Sequence, residues 1–145
     1  MKYLRVLLLM GALFGLSGMV GCASMEAQKQ EKTVYHINDS VVAKAAMNNA
    51  KNHLSANPNA KIVIVTHGKG VDFLFEGAAD KEGNPYNLNV EELQAMGVQF
   101  DVCANTLKSR KLDKSKLLPG TVIVPSGVAE VAKLQFSEGY AYLKP

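Results

Sequence analysis

The run KIVIVTHG, residues 61–68, places Ile62, Val63, Ile64 and Val65 in unbroken succession. A strand with one wet face alternates apolar and polar residues, whereas an uninterrupted β-branched run is the pattern of a parallel strand covered on both faces. The covers must be helices, because parallel strands are joined by crossovers that lie over the sheet. The run therefore predicts helices before and after it.

Upstream, TVYHI (33–37) reads as a short strand and NDS supplies helix-capping side chains. Val42, Ala45, Ala46, Asn49, Ala50, His53 and Leu54 then recur at helical spacing until NPN (57–59) ends the helix. Downstream, KGVDFLFEGA (69–78) predicts a short helix and ADKEGNPY a surface loop. NVEELQAMG (89–97) predicts a helix capped by Asn89 and stopped by Gly97. VQFDV (98–102) is a third strand, followed by Cys103 and a short helical stretch to Arg110. TVIV (121–124) is a fourth strand, VAEVAKLQFSEG (128–139) the last helix, and YAYL (140–143) an edge strand. This alternation over residues 33–145 predicts an α/β fold, a flavodoxin-like three-layer sandwich with a five-stranded parallel sheet in the order 2-1-3-4-5.

The first 22 residues follow another logic. Lys2 and Arg5 precede an uncharged stretch, Val6 to Val20, and small residues follow, as in a secretion signal. The apolar stretch is shorter than the roughly 20 residues of a spanning helix. Met19-Val20-Gly21-Cys22 resembles a bacterial lipoprotein box with Cys22 as the lipidation residue, although Met19 stands where leucine is usual. Ordinary signal-peptidase processing near Ala23 or Ser24 is the alternative. The expected organisation is a signal peptide with a lipobox-like end (1–22), a polar tether (23–32) and a single domain (33–145). The expected location is exported and periplasmic, anchored to a membrane through an N-terminal lipid. With Lys2 and Arg5 set aside, 14 of the 16 basic residues remain against 13 acidic ones. That balance gives no support to a nucleic-acid partner or an anionic membrane surface.

If Cys22 is lipidated or cleaved away, Cys103 is a lone thiol in an exported chain. Open parallel sheets gather the residues that follow their strands along one rim, where ligands bind. Those residues are Asn38 and Asp39, His67 to Gly70, Cys103, and Ser126 with Gly127. In the order 2-1-3-4-5, Asn38 and Ser126 flank Cys103 and His67 lies one strand further away. A cysteine at a helix start meets unpaired amides and the positive end of the helix dipole, both of which favour thiolate. Lys108, Arg110 and Lys111 either add to that field or are solvated surface charges. Plain structural explanations exist for each residue. Cys103 can be a small buried hydrophobe, His67 can bond a loop backbone, and Asn38, Asp39 and Ser126 can cap helices. Gly68 and Gly70 in HGKG invite a phosphate but lack the Walker and dinucleotide spacings. His36 and His53 are placed by strand and helix spacing, and no metal site or cofactor is expected.

THGKG after the second strand, VCANTL at the third, and VPSGVAEVAKLQ with EGYAYLKP at the end resemble the DsrE/DsrF-like family across residues 33–145. That family includes the sulfur-relay subunits of dissimilatory sulfur oxidation and tRNA thiolation. The resemblance implies that Cys103 matches the cysteine that accepts sulfane sulfur as a persulfide and hands it to a partner protein, within homo- or hetero-oligomers. The expectation is an exported protein binding or relaying sulfane sulfur on Cys103, a sulfurtransferase-like carrier rather than a turnover enzyme. Asn38, His67, Gly68 and Ser126 would shape the pocket, sulfur donors and acceptors would be the partners, and the chain would form a homo-oligomer. The known relays work in the cytoplasm, so the tRNA-thiolation partners do not carry over. Two alternatives stand beside this reading: a non-catalytic module binding a small anion or nucleotide at HGKG, and a structural oligomer subunit with an inert thiol.

Overall fold

The computed structural model describes residues 29–145. The signal segment, Cys22 and residues 23–28 of the expected tether lie outside the described residues. Five strands form one parallel sheet: β1 (Lys32–Asp39), β2 (Lys61–Lys69), β3 (Gln99–Cys103), β4 (Val122–Val124) and β5 (Ala141–Leu143). The helices are α1 (Ala43–Ala56), α2 (Asn87–Ala95), α3 (Ala104–Ser109) and α4 (Gly127–Glu138). The predicted α/β sandwich with a five-stranded parallel sheet is present.

The strand order differs from the expected one. The sheet runs β4-β3-β2-β1-β5 in place of 2-1-3-4-5. Three successive steps in one direction carry the chain from β1 to β4, and one long return places β5 beside β1. Since βαβ crossovers are right-handed, three same-direction steps stack their helices on one face and the return lays its helix on the other. The core divides accordingly. Residues of α1, α2 and α3 pack with Tyr35, Ile37, Ile62, Ile64, Phe100 and Val102 in the larger cluster. Val131 and Leu134 of α4 pack with Val34, Val63 and Val65 in the smaller one. Alternate residues of β2 thus serve the two clusters, so its unbroken aliphatic run is needed.

Local departures have local causes. The helix expected over 69–78 is a single 3-10 turn, Asp72–Leu74, where Phe73 and Leu74 are fully buried between two glycine-containing bends. Helix α2 begins at Asn87, and the side chain of Asn89, the expected cap, instead accepts a hydrogen bond from Lys51 Nζ at 2.9 Å. Gly97, with φ +89°, ends that helical segment as expected.

Candidate functional site

Cys103 is the last residue of β3 and the N-cap of α3. Because β2 adjoins β3, its rim neighbours are His67 on one side and the β4–α4 turn on the other. This corrects the expected arrangement: His67 is adjacent, whereas Asn38 belongs to β1, two strands from Cys103. Asn38 Oδ1 accepts from Lys144 Nζ at 3.1 Å, at the end of the sheet where β5 pairs β1. Ser126 is the N-cap of α4, its hydroxyl accepting from the Ala129 amide.

Only 5% of Cys103 is exposed, yet its surroundings are polar. Burial raises the thiol pKa, but hydrogen bonds from the Gly127 amide, the Thr106 hydroxyl and amide, and the Asn105 amide outweigh it and hold the thiol below its ordinary value. The donors come from two helices. The amide with the largest lowering effect is that of Gly127, at the start of α4, rather than one in the six-residue α3. Thr106 is aimed by its own partner: its Oγ1 accepts from the Gly68 amide at 2.9 Å, which leaves its proton to donate to the sulfur.

Gly127 is a glycine for a steric reason. A Cβ there would lie 3.1 Å from the Thr66 carbonyl oxygen, 3.1 Å from His67 Cβ and 3.3 Å from Cys103 Cβ. A side chain there would have to push these neighbours back by a few tenths of an ångström, and the bare backbone lets the start of α4 pack against Cys103 without that shift. Thr106 is absent from the site expected from sequence, and Gly127 was read there as a rim residue beside Ser126 and not as a donor to the sulfur. The small residue after the fourth strand was a signal for Gly127. Nothing local marked Thr106, which reads as an ordinary helix residue.

The HGKG segment is turned inward. The Gly68 amide is held by Thr106, the Gly70 amide by the His67 carbonyl at 2.9 Å, and the Gly68 carbonyl by Arg110 Nη1 at 2.7 Å. Arg110 also pairs with Asp72 at 2.6 Å, tying the end of α3 to this loop. A Cβ on Gly70 would collide with the Ile37 carbonyl, so that glycine serves a close backbone crossing. Gly68 acts in the site indirectly, by orienting Thr106.

Beside Cys103 lies a histidine pair. His36 Nε2 and His67 Nε2 are 2.6 Å apart with their rings stacked, and His36 Nδ1 meets the Tyr142 hydroxyl at 2.8 Å. Desolvation, and then neighbouring positive charge, lowers both imidazole pKa values, so the rings are neutral near pH 7 and one donates to the other. His36 looked like a strand residue in the sequence, and the register that pairs it with Val65 brings its ring against His67. His53 is elsewhere, bonded to Tyr35 and Glu31 on the α1 side. Among the described residues no group of three His, Cys, Asp or Glu side chains is placed to hold a metal ion.

A parallel α/β domain whose one described cysteine sits at the strand rim under converging amides is a thiol-bearing member of the flavodoxin-like architectures. More narrowly, the chain belongs to the DsrE/DsrF-like family, whose model matches residues 23–145. A structure of a protein of unknown function from Methanobacterium thermoautotrophicum is similar at 30% identity and a TM-score of 0.71, covering 80% of this chain and 100% of that one. The crystal structure of the ychN protein from E. coli shares the fold at 19% identity and a TM-score of 0.65, covering 80% and 99% of the two chains. No curated protein matches the chain.

Proposed function

We propose that this protein is a sulfur carrier that holds sulfane sulfur as a persulfide on Cys103. Family membership supports a sulfur-relay type of role. The observation that carries the finer reading is the set of donors on the sulfur: Gly127, Thr106 and Asn105 favour thiolate despite near-complete burial. Thiolate is the form that attacks a sulfane sulfur. The Cys103 thiolate attacks the terminal sulfur of a donor persulfide, R–S–SH. The donor S–S bond breaks, a new S–S bond forms on Cys103, the proton stays on the transferred sulfur and R–S⁻ leaves. The exchange is redox-neutral and needs no cofactor. Once the resulting persulfide loses its proton, the same amides can stabilise the anion.

The reading extends to an exported, lipid-anchored carrier that forms homo-oligomers and exchanges sulfur with protein or small-molecule donors and acceptors. Export and anchoring are supported by the basic-apolar segment of residues 1–22 ending on Gly21-Cys22. Mass spectrometry of the protein from its own host would read both the state of Cys22 and any added sulfur on Cys103. Cys103→Ser is expected to abolish sulfur loading from polysulfide, and unchanged loading would refute the carrier.

One observation favours a competing reading. At 5% exposure, Cys103 is also positioned as an inert structural thiol. Alkylation with iodoacetamide separates the two readings. A carrier thiol reacts in the native protein with a pH midpoint below that of the unfolded chain, whereas an inert one reacts only after denaturation. The anion-module alternative finds less support, because the HGKG amides of Gly68 and Gly70 already have partners inside the protein.

A further inference from the structure

Because all five strands run parallel, the sheet has two unlike ends. Cys103 closes β3 at the rim, and the first residues of the strands, Lys32, Lys61 and Gln99 among them, form the base. Helix α4 runs from one end to the other. Its first residue, Gly127, abuts Cys103, and the carbonyl of its last, Glu138, accepts from Lys32 Nζ at 3.4 Å. The chain also arrives at the base. Gln30 Nε2 donates to the Asn59 carbonyl at 3.0 Å, and the Glu31 carbonyl accepts from the Lys61 amide at 2.8 Å. Cys22 precedes Gln30 by eight positions, a reach of at most roughly 30 Å.

Phe136 stands in the last turn of α4, at this base end. At 93% exposed it is the most exposed large apolar side chain among the described residues. Val131 and Leu134 of the same helix face the sheet, so helical spacing projects Phe136 from the opposite side, where it adds nothing to the core. The charges beside it are unevenly engaged. Lys32 and Lys61 stand over the Tyr140 ring at 5.6 and 6.0 Å, and among the described residues neither has a carboxylate within ion-pair distance. Glu31 is held by His53 and Asn57, and Glu138 pairs with Lys133.

We propose that the base of the sheet is a membrane-facing surface, on which Phe136 enters the lipid–water interface, Lys32 and Lys61 meet headgroup phosphates, and the Cys103 rim is turned away from the bilayer. The inference rests on the reading of Cys22 as a lipidated residue. The short connection from Cys22 to the pinned Gln30 keeps the base, and not the rim, next to the bilayer, and this selects lipid over a second copy as the occupant. An acyl anchor already supplies attachment, so a single aromatic ring needs only to set orientation.

The chain contains no tryptophan, so Phe136→Trp installs a single fluorophore at a position outside the core. Val128→Trp, at the rim end of the same helix and 59% exposed, is the control. Each variant, matured by its own host, is reconstituted into vesicles of phosphatidylethanolamine and phosphatidylcholine. The Phe136→Trp emission is expected about 10 nm to the blue of the control, with quenching by lipids brominated on their acyl chains about threefold stronger. Adding Lys61→Glu should reduce that quenching by about half, and unchanged quenching would overturn the assignment of Lys61 to the headgroups. Equal emission and equal quenching at the two positions would overturn the proposal. So would a blue-shifted emission from position 136 that brominated lipid leaves unquenched, because it assigns this face to contacts between copies. The mass of the Cys22 peptide is read on the same preparations. Acylated Cys22 without quenching at position 136 sinks the membrane-facing base alone. Quenching there on added vesicles with Cys22 unmodified sinks the lipid anchor alone.

Discussion

Asp101 and Cys103 lie two residues apart on β3 and project to the same face of the sheet, yet their ionisations are pushed in opposite directions. Asp101 has no solvent exposure, one of its carboxyl oxygens has no hydrogen-bond partner, and burial pushes its pKa up to about 6. The Gln99 side chain donates to the other oxygen at 2.7 Å and only partly offsets this. Cys103 is almost as buried, but it ends the strand where the first turns of α3 and α4 present free amides. Burial favours the neutral form of both groups, so the availability of donors decides the sign. The sheet interior has none to spare, and the rim does.

The two residues therefore make opposite contributions to stability as the pH changes. For Asp101 the folded pKa lies above the ordinary 3.8, so the unfolded chain ionises first. Folded stability falls as the pH rises from about 4 to about 6 and then stays reduced. For Cys103 the folded pKa is lowered, so its contribution is absent at low pH and grows as the pH rises towards the ordinary 9.0.

The largest effect that could break this comparison belongs to Asp101. Asp101→Asn should remove the slope in stability between pH 4 and 6, which amounts to at most roughly 3 kcal/mol. Urea unfolding across that range measures it, and a slope identical to the parent would show that Asp101 is not the group responsible. Next is Gly127→Ala, whose methyl must displace Thr66, His67 or the start of α4. A cost of about 1–3 kcal/mol is expected, together with a rise in the Cys103 pKa read from the pH dependence of alkylation. Thr106→Val removes a donor to the sulfur and orphans the Gly68 amide, for a loss of about 1–2 kcal/mol. Thr106→Ser should restore most of the thiol reactivity, which a purely packing role would not predict. The smallest effect sharpens the outer edge of the site. Arg110→Ala breaks a half-exposed pair with Asp72 and should cost under about 1 kcal/mol, leaving the alkylation midpoint of Cys103 close to that of the parent protein.

Much of the fold was legible locally. The four aliphatic residues of β2 can only be satisfied between two helical layers, and the strand-helix alternation around them left one fold class. Cys103 was legible as a rim residue because it ends a strand and starts a helix. The strand order was not legible, since it depends on which face of the sheet each helix covers, and an apolar stripe shows that a helix packs on the sheet without showing on which face. That one unknown moved the partners of Cys103 from Asn38 to His67. The stacking of His36 on His67, 31 positions apart, was hidden for another reason: it depends on the register between β1 and β2, neighbours in both orders.

The sequence by itself determined the fold class, the buried faces of the central strand and the placement of a single thiol at a strand end, because periodicity and strand-end chemistry act over a few neighbouring residues. The helix start pointed towards thiolate, but only the tertiary structure decided which distant groups join the Asn105 and Thr106 amides in lowering the thiol pKa against burial. The amide with the greatest effect on it belongs to Gly127, 24 positions further along the chain, and the hydroxyl that helps is aimed by Gly68 from another strand. Hydrogen bonds of that kind depend on where the chain returns, and no local pattern records it.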